Sequence, residues 1–272
     1  MDLHFFCPKW GSQESPDNFF HKVKGEGYDG VEYGIPREMR EKELEEIVIK
    51  AEKHNLLLMA QHYDTYESSF NEHKKKYAEW FEKIRHFPFY KINSQTGRDI
   101  FTLAQNKEII AIAQNFESTT GIAVCHEVHR GKFSFAAHIT RDYLQDIPGL
   151  QLTFDISHWV NVAESWLEDQ EEVVNMAILK TGHLHARVGY PEGPQIPDPA
   201  APEWNDALVK HINWWDKIAM NKQREGTTLS ITPEFGPYPY MVHIPATGLP
   251  VCNQWNANTY MMNLLKERYQ TQ

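Results

Sequence analysis

Four β-prone runs in this chain end on side chains that can hold a metal ion or carry a proton. The apolar run Ile122 to Cys125 delivers His126, Glu127, His129 and Arg130 just before Gly131. Phe154 is followed by Asp155 and His158, His183-Leu184-His185 by Arg187, and Ile231-Thr232-Pro233 by Glu234. Taken alone, the first stretch is explained as simply by a structural Glu127–Arg130 ion pair, because such networks are commoner than active sites. Recurrence at three further strand ends is what argues for chemistry. Glu127, Asp155, Glu234 and an imidazole from His183 or His185 form a mixed oxygen and nitrogen set, suited to Mn, Mg, Co or Zn rather than copper. Both histidines fall on one face of a strand, since side chains alternate. The His126-Glu127-Val128-His129 spacing is not that of a zinc-protease helix.

Positioning such groups requires a scaffold that brings strand ends together. Strands are expected over Leu3 to Cys7, Tyr28 to Tyr33, Leu56 to Ala60, Phe89 to Ile92, Gly121 to Cys125, Leu150 to Phe154, Gly182 to Val188 and Thr228 to Ile231. Helices alternate with them. Arg37 to His54 and Ser68 to Arg85 carry apolar residues at helical spacing, and one long helix is expected over Trp159 to Lys180, with Val162, Trp166, Val173, Val174 and Ala177 inward. Eight strands alternating with eight helices over 272 residues predict an α/β fold, a single (β/α)8 TIM barrel with one domain over residues 1–272. In such barrels chemistry sits at the C-terminal strand ends. Polar groups also follow the third and fourth strands, as Gln61, His62 and Asp64 and as Asn93, Ser94 and Gln95. The proline-rich segment Gly189 to Pro202 is long for a strand–helix connection and is read as a binding loop or lid.

Composition narrows the function classes. A net charge of -10 opposes general nucleic-acid binding, which draws on clustered Lys and Arg, although a local basic pocket stays open. No apolar stretch is long enough to span a bilayer, and the first residues, with Asp2 and His4, do not read as a secretory signal. Cys7, Cys125 and Cys252 are far apart and without a CxxC pair, so reduced thiols in a cytoplasmic protein are expected.

The ordered set resembles the xylose isomerase-like barrels, a superfamily of sugar isomerases and epimerases that also includes endonuclease IV. The resemblance covers nearly the whole chain and is carried by Gly27 to Glu32, His126-Glu127 to Arg130-Gly131, Asp155 to His158, His183 to Arg187 and Pro233-Glu234. It implies one divalent metal ion held by Glu127, Asp155, His185 and Glu234, with His158 and Arg187 orienting substrate oxygens and the two glutamates acting as acid and base. His129 and Arg130 depart from the ketose epimerase pattern.

The chemistry expected is proton abstraction next to a carbonyl, through a metal-stabilised enediolate, in a sugar or sugar-phosphate isomerase or epimerase. Arg130, Lys132 and Arg187 are candidates to grip a phosphate or carboxylate, and His62 is a further substrate-binding candidate. Trp10, Trp159, Tyr190, Phe235, Tyr238 and Tyr240 follow strands, where a sugar face could stack. A small-molecule carbohydrate is the expected partner, without nucleic acid or membrane, and a homo-oligomer is possible. The rival readings are a lyase dehydrating an inosose or dehydroshikimate-type acid, an endonuclease IV-like phosphodiesterase, and a non-catalytic binding barrel.

Overall fold

The computed structural model describes residues 1–270. Strands β1 (Leu3–Pro8), β2 (Gly30–Gly34), β3 (Leu57–His62), β4 (Lys91–Ser94), β5 (Val124–Glu127), β6 (Leu152–Phe154), β7 (Thr181–His185) and β8 (Leu229–Thr232) pair in parallel and in sequence order. β8 closes the barrel on β1, with Leu3 opposite Leu229 and Phe5 opposite Ile231. Around it stand α1 (Pro16–Glu26), α2 (Glu41–Lys53), α3 (Phe70–Ile84), α4 (Leu103–Thr120), α5 (Ala137–Asp146), α6 (Ile156–Ala163), α7 (Glu171–Leu179), α8 (Asn205–Glu225) and α9 (Gln254–Gln270). The molecule is thus a single closed α/β TIM barrel.

Local sequence accounts for these elements. Ser15 caps α1 through the Asn18 amide and Pro16 opens the helix, while Gly27 ends it in the left-handed region at φ 92°. Thr102 and Gln105 form a reciprocal capping box on α4. The outer core lies between barrel and helices, where Tyr77, Trp80, Phe81 and Ile84 of α3 are buried as the stripe predicts. No helix among the described residues is long and apolar enough to cross a membrane.

Two differences from the sequence expectation matter. The helix expected over Trp159 to Lys180 is broken into α6 and α7, giving nine α-helices among the described residues instead of eight. Glu164 (φ 46°) and Leu167 (φ 61°) turn left-handed, which buries Leu167 and leaves Val162 exposed, off the expected stripe. The second difference concerns strand ends. β4 and β5 continue through the polar residues that were expected to follow them, pairing Ser94 with His126 and then Glu127 with Thr153. Polar side chains therefore point into the barrel from within the strands.

Candidate metal centre

Strand alternation decides which member of each polar cluster enters the barrel. On β5, Glu127 points inward. Its neighbour His126 points outward, where Nδ1 lies 2.7 Å from Thr96 Oγ1 and the ring stands edge-on to Phe133. On β7, both His183 and His185 point inward, at different depths. Asp155 follows β6 directly and caps α6 through the Ser157 amide, 3.2 Å away, so the strand-to-helix turn fixes its carboxylate. Glu234 lies just beyond β8.

Glu127, Asp155, His185 and Glu234 are all buried, and each offers a ligand atom within 4.8 Å of the others. Two observations show that this ring suits a cation. First, His185 Nδ1 is 2.9 Å from Glu234 Oε2, yet the alignment is too poor for a hydrogen bond and the buried nitrogen has no other partner. Second, the ring concentrates negative charge: burial works to lower His185, but Glu234 and Glu32 outweigh it and raise the imidazole well above its usual range. Burial and then the charge of Glu234 push the Glu127 carboxyl up to about 8, and Asp155 is also raised, mainly by burial, despite the Arg187 guanidinium beside it. A divalent ion would relieve both effects, with Glu127, Asp155, Glu234 and His185 Nδ1 as its ligands.

A second polar layer supports the ring from below. Glu32 on β2 lies 3.1 Å from His185 Nε2 and accepts from Asn93 Nδ2 at 2.8 Å and Thr232 Oγ1 at 2.5 Å. Burial works to raise Glu32, but His185 and His183 outweigh it and hold the carboxylate well below its usual range. Asn93 also donates to Glu127 at 2.9 Å, and Gln95 to the other Glu127 oxygen at 3.2 Å. Gln61 donates to Glu234 at 3.3 Å. His183 sits below, with Nδ1 2.8 Å from Ser230 Oγ. Gln61, Asn93 and Gln95 are read from sequence only as polar groups at strand ends, without a role, and Glu32 is not singled out for the site; its one signal is a polar residue at the interior phase of a buried strand.

Arg187 donates to Asp155 and passes 3.7 Å from Glu234, with its guanidinium 4.7 Å from the centre of the Tyr240 ring. Its Nη2 also lies 2.6 Å from His158 Nε2, while Arg130 Nε is 3.1 Å from His158 Nδ1. Burial, then the charges of His129 and the two arginines, keep His158 neutral. A neutral imidazole has one lone pair, so it can accept from only one arginine at a time. The displaced N–H is then free for a substrate oxygen.

Three of the substrate candidates are placed elsewhere. His62 points outward from β3, edge-on to Tyr77 and Trp80, with Nε2 2.7 Å from Thr65 Oγ1; its strand neighbour Gln61 is the one facing the interior. Arg130 is spent on His158, Asn161 and Tyr240, and makes no ion pair with Glu127 among the described residues. Lys132 is buried with its ammonium over Tyr66. Of the six aromatics, only Trp10 and Tyr240 line the cavity of about 540 Å³ above the ring; Gln61, Gln95, Glu127, His129, Arg187 and Glu234 also line it. Trp159 and Phe235 are core, Tyr190 packs on Trp204, and Tyr238 is exposed. No residue of the segment 189–202 borders the cavity. That segment instead holds the loop after β8, through Gln195 and the Gly236 backbone.

No family model matches the sequence, and no curated protein does. Solved structures do match over nearly the full length. A probable 3-DHS dehydratase of petrobactin synthesis from Bacillus anthracis superposes with a TM-score of 0.61 at 15% identity, covering 98% of this chain and 100% of that one. Endonuclease IV from Thermus thermophilus gives 0.58 at 11% identity, covering 99% of each chain. A sugar phosphate isomerase/epimerase from Parabacteroides distasonis gives 0.58 at 10% identity, covering 97% of this chain and 93% of that one. The likeness is one of fold: this chain shares the TIM-barrel architecture of these three proteins.

Proposed function

We propose that the protein is a divalent-metal-dependent sugar isomerase or epimerase. The observation that carries this reading is the meeting of two buried glutamates, Glu127 and Glu234, at the floor of one cavity, with Asp155 and His185 completing a cation-binding ring. When bound, a divalent ion there supplies Lewis-acid polarisation of a carbonyl. The protein's own residues do the rest. One glutamate removes a proton from the carbon next to the carbonyl and the other returns it, and Arg187 offers an N–H to a substrate oxygen. Gln61, Asn93 and Gln95 hold the two carboxylates in place by donating to them. The carboxylate-lined floor and the net charge of -10 favour a small carbohydrate over nucleic acid.

The test is proton exchange. The metal-loaded protein, incubated in D2O with a panel of ketoses, ketose phosphates, inososes and dehydroshikimate, is expected to place deuterium on the carbon beside the carbonyl of an isomerised sugar. Exchange accompanied by loss of water would replace this reading with a dehydratase, and no exchange with any compound would refute it.

A further inference from the structure

The cavity walls carry information about the substrate that the metal ring does not. Above the floor, the cavity is lined by Trp10, Tyr33, Tyr63, Tyr66 and Tyr240, together with Met39. Tyr33 and Met39 also pack against the core, but Trp10, at 36% exposed, Tyr66, at 59%, Tyr63 and Tyr240 do not, so burial in the core does not account for those four. Trp10 sits on a built platform. A methyl group added to Gly236 would come within 2.2 Å of its indole, so only glycine lets the ring lie there. Tyr240 meets the indole edge-on at 5.2 Å, and Gln254 fixes the Trp10 carbonyl at 2.9 Å.

Cations are as informative as the aromatics. Arg187 lines the cavity only at its floor, against Asp155 and Glu234, and Arg130 and Lys132 do not reach the cavity. Lys9 is the one cation of the wall above the floor, a single ammonium with one of its three N–H groups on the Ser12 carbonyl at 2.6 Å. Against these stand the carboxylates of Glu127 and Glu234. A phosphate at the far end of a substrate would meet aromatic rings rather than a fork of N–H donors. The volume of about 540 Å³ lies within the roughly 300–1,000 Å³ range of pockets that bury drug-sized ligands, larger than one sugar ring.

We infer that the substrate is an uncharged sugar extended by a second ring, a reducing disaccharide whose carbonyl end reaches the ring of Glu127, Asp155, His185 and Glu234 while its distal ring stacks on Trp10 and Tyr240. This narrows the isomerase reading to neutral substrates and rests on it for the orientation of the sugar. Stacking uses the apolar C–H face of a pyranose against an aromatic plane and needs no charge.

Calorimetric titration of the manganese-loaded protein with lactulose, maltulose, D-fructose and D-fructose 6-phosphate tests the inference. At least one disaccharide is expected to bind about tenfold more tightly than fructose, one stacked ring being of that order. The phosphate should give no gain over fructose. Trp10→Ala should abolish the disaccharide advantage while leaving fructose affinity and metal content unchanged, and Trp10→Phe should keep most of the advantage. Tighter binding of fructose 6-phosphate than of fructose, with a loss of affinity in high salt, would overturn the inference, as would equal binding of both disaccharides and fructose. Deuterium exchange on the same compounds separates the two readings. Disaccharide preference without exchange refutes the reaction and leaves the ligand class standing. Exchange confined to the phosphate does the reverse.

Discussion

Glu127→Gln is expected to lower the rate of solvent deuterium exchange into the substrate by about 10²–10⁴-fold, the usual contribution of a positioned acid or base. The substitution preserves volume and removes the charge and the basic oxygen. Glu127 is the last residue of β5, buried, and held from both sides by Asn93 and Gln95. Those two donors favour a carboxylate there; the amide of glutamine would set its own N–H group against one of them. Glu234→Gln should fall within the same range, because its carboxylate faces the same cavity from the loop after β8. Manganese content measured on the same samples separates loss of the ion from loss of the base. Wild-type exchange by either variant would remove that glutamate from the chemistry.

The second large effect is expected from a residue that borders no part of the cavity. Glu32→Gln should weaken binding of a divalent ion about 10–100-fold, the range seen when the outer partner of a metal-binding histidine is removed. The argument lies in the two faces of His185. Ionised Glu32 accepts the Nε2 proton, with both carboxylate oxygens 3.1 Å away, so that Nδ1, facing Glu234, is the nitrogen that would give up its proton to a cation in the ring above. A glutamine in its place accepts less strongly and no longer fixes the tautomer. Because Glu32 acts through His185 as a positioning residue, exchange by Glu32→Gln should recover when manganese is raised to saturation, which a defect in the chemical groups would not allow. Unchanged affinity in a competition titration would show that Glu32 serves only the interior of the barrel.

The barrel is legible in the sequence because its two periods are clean. The α3 stripe of Tyr77, Trp80, Phe81 and Ile84 and the apolar start of each strand need no tertiary knowledge to recognise. Glu127, Asp155, His185 and Glu234 are legible as a group because each follows such a run. What the sequence leaves open is phase and partner. Gln61 and His62 are adjacent and both polar, and a shift of one residue decides which enters the barrel. The structure turns Gln61 in and packs His62 against Trp80. Arg130 and Lys132 read as free cations until Asn161, Tyr240 and Tyr66, distant in sequence, are placed around them. Glu32 hides, and Asn93 reads only as one of several polar groups at a strand end, for a related reason: an inward polar residue belongs to a site only if the strands across the barrel bring it partners, here His185 and Glu127. The break between α6 and α7 is equally silent, since it depends on left-handed turns at Glu164 and Leu167, residues with no intrinsic preference for them.

The central claim is that Glu127, Asp155, His185 and Glu234 together hold a divalent cation. A crystal of the protein grown with manganese, measured for anomalous scattering, addresses it directly. The account predicts one strong peak among the four side chains, within about 2.0–2.3 Å of carboxylate oxygens and of His185 Nδ1. A peak lying instead between Glu32 and His183, or no peak in the barrel at saturating manganese, would contradict it.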